Sequence, residues 1–391
     1  MSLGRMPLAN GFLTADQFED EYFFELEPAF CASCGMFQII EQPPPESMFH
    51  REYLFFTRTS QHMVRHFSDL GETVRREFLQ GDDPFVVEIG SNDGALLEGF
   101  AQAGIRHLGV DPSANIAAIA ERSGVRTLVD FFNQPTAAMI ADEHGQADAI
   151  LAANVMAHIA DLHEAAEGVA RLLKRQGVLI FEAVSLGDMI QRSAYDLIYD
   201  EHVYTFSTRV VAGIFADHGL ELIDVTPLPT HGGSMRYVLV HKGRRPVSTA
   251  VAEQLAAEEA QGLHLPETYD RFRKKCETMR DRLLSILEDI KHQGRRVAGY
   301  GASAKSTTVL NYCGIGPELI EFISDTTPIK QGKYSPGMHI PIRPHADFMA
   351  AYPDFALLFA WNHKQEIMAK EPDFMNSGGR WITFFPEVEV F

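Results

Sequence analysis

The pattern of apolar and polar positions predicts an α/β region in the first half of the chain. Between residues 84 and 182, short apolar runs typical of buried strands alternate with segments of helical periodicity. The predicted strands cover 84–90, 107–111, 125–131, 148–154 and 178–182, and the predicted helices cover 95–104, 114–123 and 162–174. Strands that alternate with helices form βαβ units, so the pattern predicts a parallel sheet.

The same reading predicts further elements on both sides of this region. Apolar residues at three-to-four spacing predict a helix over 50–80 and an amphipathic helical connector over 248–293. Two segments, 220–227 and 236–241, predict an antiparallel pair that closes the first α/β region. A second, Rossmann-like α/β unit follows, with predicted strands at 295–300, 319–324, 355–360 and 381–385. These limits predict four parts: 1–48, 49–247, 248–293 and 294–391.

Length and charge narrow the class of protein. The chain has 391 residues, too many for one ordinary core, and a formal net charge of −19. Such a charge disfavours nucleic acid and anionic membranes as partners. The sequence has neither an apolar run of about 20 residues nor a signal-peptide pattern at its start. We therefore expect a cytoplasmic monomer or homodimer that acts on a small molecule.

The cysteines suggest a metal module that lacks half of its ligands. Cys31 and Cys34 form a C-x-x-C, the half-site of a zinc ribbon, and the other half-site is absent. We interpret 1–48 as a truncated zinc-ribbon-like module. Because two thiolates are too few for a closed structural site, zinc is expected to be absent or incomplete. The alternative is two ordinary cysteines in a turn.

The first glycine loop lies between a predicted strand and a predicted helix. Glu88 stands two residues before Gly90, the spacing is G-x-x-x-G, and Asp111 ends the next strand 21 residues after Gly90. Glycine lets the backbone approach a ligand, and a carboxylate at the end of that strand can bind ribose hydroxyls. This spacing is the methyltransferase form and favours S-adenosylmethionine over a nicotinamide. The candidate cofactor residues are Glu88, Gly90, Asn92, Asp93, Gly94, Asp111, Pro112, Asp130, Phe131 and Asn154.

A second glycine loop occurs at Gly299-Tyr-Gly301-Ala-Ser-Ala-Lys305. It fits the dinucleotide fingerprint G-x-G-x-x-A, and Asp325 ends the next strand 24 residues after Gly301. Taken alone, this pattern indicates NAD. A second interpretation is that Lys305 and the helix N-terminus bind the diphosphate of a sugar nucleotide. The third is a purely structural turn.

Candidate catalytic residues follow the fifth predicted strand. Tyr199, Glu201 and His202 lie where the carboxyl edge of the sheet is expected, and a histidine beside acids and tyrosines suits a general base. Tyr53 is a further candidate for the same cleft. A second polar cluster, His231-Gly-Gly-Ser-Met-Arg236, lies on a glycine bend near that edge. A satisfied structural histidine is the alternative for each ring.

Together these segments resemble the zinc-containing deoxysugar C-methyltransferases, over nearly the whole chain. The segments that carry the resemblance are Cys31–Cys34, Glu52-Tyr53-Leu54, Val87–Gly94, Ile198–His202, His231-Gly232-Gly233, Gly299–Ser306 and Phe359-Ala-Trp361-Asn362-His363. The sequence departs from the family pattern at its start, where the first C-x-x-C is missing.

The resemblance implies a zinc module, an S-adenosylmethionine methyltransferase domain and a C-terminal Rossmann-like domain that helps to bind the nucleotide of a dTDP-linked keto-sugar. It implies that His202 removes a proton next to the sugar carbonyl, with Tyr199, Glu201 and Tyr53 around the sugar. The expected substrate-binding residues are His231, Gly233, Arg236, Gly301, Lys305, Asn362 and His363.

Three alternatives remain open on the sequence. The protein could transfer the methyl group to oxygen or nitrogen of a small molecule, which needs a base but no enolate. It could be an NAD-dependent oxidoreductase that uses the Gly299 loop. It could also bind a sugar nucleotide without catalysis.

Overall fold

The computed structural model describes residues 1–49 and 53–391. The N-terminal module consists of short antiparallel strands: β1 (Arg5–Pro7) pairs with β2 (Phe23–Glu25), and β3 (Pro28–Phe30) pairs with β4 (Phe37–Ile39). A 3-10 helix (Ala15–Asp20) and a short helix α1 (Pro45–Met48) complete this part.

The first α/β region contains a central sheet whose strands confirm the predicted alternation. Its strands in chain order are β5 (Phe85–Ile89), β6 (Arg106–Val110), β7 (Thr127–Leu128), β8 (Ala147–Ala153), β9 (Leu173–Val184), β11 (Leu220–Leu228) and β12 (Ser234–His241), with β10 (Tyr204–Thr205) pairing on β4 instead. The order across the sheet is β11-β12-β9-β8-β5-β6-β7. Strands β5 to β9 are parallel, and β11 and β12 form the predicted antiparallel pair.

Helices cover both faces of this sheet. They are α2 (Gln61–Glu77), α3 (Glu98–Gln102), α4 (Ala114–Arg122), α5 (Gln134–His144), α6 (Leu162–Leu172), α7 (Leu186–Arg192) and α8 (Thr208–Asp217). The helix predicted over 50–80 is too long: residues 50–52 lie outside the described residues, and the helix begins at Gln61. Its start is fixed by Ser60, whose hydroxyl accepts the Met63 N–H. The helix predicted over 95–104 is reduced to Glu98–Gln102, because turns follow Gly94.

The connector predicted as one helical segment is two helices, α9 (Thr249–Ala260) and α10 (Pro266–His292). The helical conformation is interrupted at Gly262, which has a φ of +72°, and α10 starts with Pro266. Proline lacks an N–H and suits the first turn of a helix, so it separates the two. The predicted apolar stripe of α10 is confirmed as core, with Phe272 and Leu283 fully buried.

The C-terminal unit is the predicted second α/β domain. Its strands are β13 (Val297–Tyr300), β14 (Ile323–Asp325), β15 (Ile342–Pro344), β16 (Phe355–Leu358), β17 (Arg380–Thr383) and β18 (Glu389–Val390), in the order β15-β14-β13-β16-β17-β18. Its helices are α11 (Ala304–Cys313), α12 (His345–Ala350), α13 (Lys364–Lys370) and α14 (Pro372–Asn376). All neighbouring strands are parallel except β18 on β17.

One apolar core joins the N-terminal module to the C-terminal domain through the segment after α7. Phe12, Ile198, Leu310 and Phe384 belong to this shared cluster, whereas the central sheet has separate clusters on its two faces. The segment 195–203 is therefore held between the other parts of the chain. Among the helices of the described residues, none is long and apolar enough to cross a membrane.

Candidate active site

The first glycine loop has a backbone that only glycine fits. Gly90 has a φ of +65°, and a Cβ added there would lie 2.5 Å from Cγ2 of Val155. The loop after β5 can therefore pass close to Val155 and leave space in front of the carboxyl edge of the sheet.

A cavity of about 460 Å³ lies in that space. The predicted residues that line it are Glu88, Gly90, Asn92, Asp111, Pro112, Phe131, Asn154, Tyr53 and His231. Three predicted cofactor residues do not line it. Asp93 instead accepts the Arg58 N–H at 2.8 Å, Asp130 accepts the Phe131 N–H at 2.8 Å, and Gly94 packs beside Val125. These three therefore make contacts within the protein next to residues that line the cavity.

Five residues that line the cavity each have a buried polar atom with no hydrogen-bond partner among the described residues. These atoms are Oε2 of Glu88, Oγ of Ser91, Oδ1 of Asn154, Nε2 of His158 and Nε2 of His231. Buried polar atoms are normally satisfied, so a concentration of them in one cavity indicates a polar ligand. Burial, with Asp111 and Asp93 nearby, raises the pKa of Glu88 well above its usual range. A ligand with an ammonium group next to Glu88 would offset that cost, so the residues fit a cofactor with an amino-acid tail.

Asp111 presents a carboxylate that backbone groups hold in place. Its Oδ2 accepts the Asn92 N–H and its Oδ1 accepts the Ser113 N–H, both at 2.9 Å. Asn92 contributes its backbone here, because its side-chain amide binds the segment before α2. It accepts the Thr57 N–H and donates to the Phe55 carbonyl. The carboxylate is thus oriented at the cavity wall without a ligand.

His202 is a neutral imidazole with a defined tautomer. Its Nδ1 lies 2.7 Å from the carbonyl oxygen of Leu197, which accepts only, so Nδ1 carries the proton. Its Nε2 therefore accepts the hydroxyl of Tyr199, at 2.8 Å. Burial, with a smaller contribution from the Lys305 charge, lowers the pKa of His202 to about 4.

His158 connects His202 to the cavity, and sequence reasoning missed it. Its ring stacks on His202 with centroids 5.3 Å apart, and it lines the cavity that His202 itself does not reach. It lies in a 3-10 turn (Met156–His158) just after β8. The available signal was its position, four residues after Asn154 at the carboxyl end of a central strand. Burial, with His202 close by, lowers the pKa of His158 well below its usual value.

Glu201 and Tyr53 come together, but Glu201 lies off the cavity wall. The hydroxyl of Tyr53 donates to Oε2 of Glu201 at 2.9 Å, and Asn10 of the N-terminal module donates to Oε1 at 2.6 Å. Burial raises the pKa of Glu201, while both hydrogen bonds act against that rise. Tyr53 lines the cavity, so Glu201 reaches it through Tyr53. Glu52, beside Tyr53 in sequence, lies outside the described residues.

In this structure, Arg236 and Gly233 contact other residues of the protein. Arg236 lies opposite Glu182 in the pairing of β12 with β9, and its Nε donates to Oε1 of Glu182 at 2.8 Å. His66 contacts the other carboxylate oxygen at 2.6 Å. Gly233 has a φ of +132°, and a Cβ there would lie 2.5 Å from Asp188. Both residues support the bend that carries His231.

The second glycine loop brings its predicted residues together away from this cavity. Lys305 lies with its Nζ 4.2 Å from the centroid of the Trp361 ring and 3.4 Å from Oδ1 of Asn362. The indole of Trp361 donates to the fully buried Asp196 at 2.6 Å. His363 follows on the same 3-10 turn. Lys305 is therefore a half-buried cation, and burial lowers its pKa while the Asp196 charge acts against that change.

Asp325 resembles Asp111 in its bonds but not in its surroundings. Its carboxylate accepts the N–H groups of Ala302 and Thr327, each at 2.7 Å. Lys330 donates to the carbonyl of Ala302 at 2.8 Å and lies over Phe12 of the N-terminal module. A dinucleotide would need open space beside Gly301, but Lys330 and Phe12 occupy the space next to this turn.

Cys31 and Cys34 are free thiols in a turn. Within residues 1–49 and 53–391, no group of three or more His, Cys, Asp or Glu side chains is placed to hold a metal ion. The described residues therefore do not fit a closed structural zinc site.

Comparisons with known proteins agree with this architecture. Family models match described as "Methyltransferase domain" over 62–225, "C-methyltransferase C-terminal domain" over 229–386 and "Putative zinc binding domain" over 1–49. The C-methyltransferase NovU of Streptomyces niveus is 35% identical over 392 residues, which covers 100% of this chain and 93% of that protein.

Other similarities are partial. A ubiquinone biosynthesis O-methyltransferase of Rhodopseudomonas palustris (strain BisA53) is 35% identical over 99 residues, 24% of this chain and 38% of that protein. A solved S-adenosylmethionine-dependent methyltransferase from Anabaena variabilis matches with a TM-score of 0.38 and 18% identity, over 45% of this chain and 85% of that one.

The methyltransferase-domain match and the loop at Gly90 define an S-adenosylmethionine-dependent methyltransferase. Identity to NovU along the full chain then sets the family: the chain belongs to the C-methyltransferases. The resemblance found in the sequence is thereby confirmed, and so is its Rossmann-like fold.

Proposed function

We propose that this enzyme methylates the carbon next to the carbonyl of a nucleotide-linked keto-deoxysugar, with dTDP as the nucleotide. A carbon atom becomes nucleophilic only after it loses a proton, and an adjacent carbonyl makes that proton acidic by forming an enolate. S-adenosylmethionine supplies the electrophilic methyl group. The single observation that carries the proposal is a neutral, tautomer-fixed His202 beside a cavity whose lining residues include five unpartnered polar atoms.

The cofactor assignment follows the cavity wall. We assign Glu88 and Asn154 to the amino-acid tail, because both residues line the cavity and each has a buried oxygen without a hydrogen-bond partner. Asp111 is assigned to the ribose hydroxyls and Phe131 to the adenine, with Pro112 beside them. Asn92, Asp93, Gly94 and Asp130 position this wall from behind or through the backbone.

His202 is assigned as the base. With Nδ1–H fixed on Leu197, its Nε2 keeps a lone pair, and a pKa of about 4 leaves it unprotonated at neutral pH. The Tyr199 hydroxyl donates a hydrogen bond to that lone pair. This hydrogen bond breaks when Nε2 receives the proton from the sugar. A positioned base contributes roughly 10²–10⁴-fold to such a step.

Two neutral histidines are placed to stabilise the enolate oxygen. The Nε2 atoms of His158 and His231 lie on the cavity wall without partners, and burial lowers the pKa of both rings, to about 3 for His231. In the tautomer with the proton on Nε2, each offers a donor at a half-buried position, where hydrogen bonds to developing charge are stronger than in bulk water. Because neither ring is protonated, they also do not repel the cofactor's positive charge.

The nucleotide is assigned to the edge of the C-terminal domain. Lys305, next to Asn362 and His363, presents a half-buried cation close enough to lower the pKa of both His202 and His231. A diphosphate bound there would place its sugar towards the histidines. Gly301 shapes the turn in front of α11.

The test is a panel of dTDP-linked keto-deoxysugars incubated with enzyme and S-adenosylmethionine and analysed by mass spectrometry. We expect a gain of one methyl group, located on carbon by NMR. Without cofactor, wild-type enzyme should exchange the proton beside the carbonyl in heavy water, and a matched His202→Asn enzyme should not. A methyl group on oxygen or nitrogen, with no exchange, would overturn the proposal in favour of O- or N-methylation.

A further inference from the structure

The N-terminal module contacts the catalytic segment through one tight turn. Residues 8–11 form this turn, closed by the Gly11 N–H donating to the Leu8 carbonyl at 3.0 Å. From it, the Ala9 N–H donates to Asp200 Oδ1 at 2.9 Å, and the Asn10 side chain donates to Glu201 Oε1 at 2.6 Å. The module thus satisfies two adjacent carboxylates that lie about 190 residues away in sequence.

Both of these carboxylates are buried, with 2% and 3% of their surfaces exposed for Asp200 and Glu201. A buried carboxylate is costly unless it accepts hydrogen bonds. Glu201 has one donor on each oxygen: Asn10 on Oε1 and Tyr53 on Oε2. Asn10 therefore supplies one of the two hydrogen bonds that, with the Lys330 charge, oppose the rise in the pKa of Glu201 and favour its ionised form.

An ionised Glu201 determines the direction of the Tyr53 hydroxyl. As an acceptor only, it takes the Tyr53 proton, so the phenol oxygen is left as an acceptor towards the rest of the site. A protonated Glu201 could donate instead, and Tyr53 would then be free to turn its proton elsewhere. The state of Asn10 is thus transmitted through Glu201 to a residue on the cavity wall.

The turn is also fixed from the C-terminal side. The hydroxyl of Thr307, on α11, donates to the Ala9 carbonyl at 2.8 Å, and the hydroxyl of Thr308 donates to the Ile198 carbonyl at 3.0 Å. Helix α11 therefore holds both the N-terminal turn and the catalytic segment in register. This makes Asn10 a rigidly placed donor.

We infer that Asn10 is a positioning residue for methyl transfer, and that the N-terminal module serves catalysis through the chain Asn10–Glu201–Tyr53 independently of any metal. The inference rests on the proposed function for its kinetic consequence only. The hydrogen-bond chain itself exists in the protein without any substrate.

The test compares Asn10→Asp, which keeps the shape but replaces the amide donor with a second carboxyl group, with Asn10→Gln, which keeps an amide donor. Thr14→Ala is the matched control, since Thr14 lies in the same module and bonds only locally to Gln17. Asn10→Asp should lower kcat about tenfold or more, the usual effect of losing a hydrogen bond to a charged group, with little change in KM. Its acid limb should move to higher pH, because Glu201 then ionises less readily; Asn10→Gln should recover part of both.

A second measurement needs no sugar-nucleotide substrate. In ligand-free protein labelled with ¹³C at tyrosine Cζ, the Tyr53 signal, assigned by Tyr53→Phe, should shift in Asn10→Asp and not in Thr14→Ala. An unmoved Tyr53 signal would overturn the inference whatever substrate the enzyme uses. A moved signal with unchanged kcat and pH profile would equally overturn it, because Asn10 would then hold Tyr53 without serving the reaction.

Discussion

The turn at Gly90 and the turn at Gly301 follow the same backbone plan. In each, a glycine of positive φ leaves a parallel strand, and an aspartate on the next strand accepts two backbone N–H groups. The first turn faces a cavity of about 460 Å³, whereas the second is packed against Phe12 and Lys330. Local sequence therefore builds the turn, but the segments that cross the carboxyl edge decide whether it can bind a cofactor.

The largest expected difference between the two turns is in cofactor affinity on adding one methyl group. Gly90→Ala should weaken S-adenosylmethionine binding roughly 100-fold, because the new Cβ would strain the backbone and press on Val155. Gly301→Ala, whose Cβ would lie 3.2 Å from Ala360, should leave it unchanged. Calorimetry on both variants, with melting curves as the folding control, checks the pair. Equal losses would show that the comparison is wrong.

The aspartates provide a second matched pair. Asp111→Ala should weaken S-adenosylmethionine binding by about 1.5–3 kcal/mol, the range for a charged hydrogen-bonding partner. Asp325→Ala should not change it. The second turn would have to be assigned a ligand of its own in either of two cases. One is that Asp325→Ala weakens the binding of the cofactor, and the other is that adding the protein changes the fluorescence of NADH.

A smaller effect is expected on the KM for the sugar-nucleotide substrate. Lys305→Ala should raise the KM for the sugar nucleotide by about tenfold, as for a lost charge-assisted contact, and should leave cofactor affinity alone. Lys364→Ala is the control, because Lys364 is a cation in the same domain that lies over Phe391. Steady-state kinetics against each ligand separates the two. A change in cofactor affinity only would contradict the assignment.

The smallest effect is one of pH. Burial depresses the pKa of His202 from the usual 6.5 to about 4, so the neutral base is present above that value and is lost only as pH falls through it. Activity that depends on His202 should therefore not decline between pH 7 and 5. Imidazole ¹⁵N signals, assigned by their loss in His202→Asn, should titrate near pH 4. Titration near 6.5 would mean that the ring is not desolvated.

Sequence reasoning recovered the elements whose signal is local. The strand at 84–90, the aspartate at its neighbour's end and the antiparallel pair at 220–241 needed only periodicity and turn chemistry. The connector was predicted as one segment because its helical periodicity hid the break at Gly262 and Pro266. Helix limits depend on single capping residues, which periodicity does not resolve.

The candidate site was less accessible because its contacts join distant parts of the chain. Arg236 was predicted to bind substrate from its polar cluster, and only the strand register reveals that it also lies opposite Glu182. Asn10 carried no motif, yet it donates to Glu201 across 191 positions. His158 had no glycine or acid beside it to draw attention. Tertiary pairing, absent from a single sequence, sets all three.

The central claim is that His202 removes a proton from a carbon atom of the substrate. The most direct measurement is exchange of the proton beside the sugar carbonyl into heavy water, in wild-type, His202→Asn and Tyr199→Phe enzymes. His202→Asn should retain both ligands, lose exchange, and lose turnover by on the order of 10² or more, whereas Tyr199→Phe should slow methylation but keep some exchange. Near-normal exchange in His202→Asn would contradict the account and leave His158, His231 and Tyr53 as the candidates for the base.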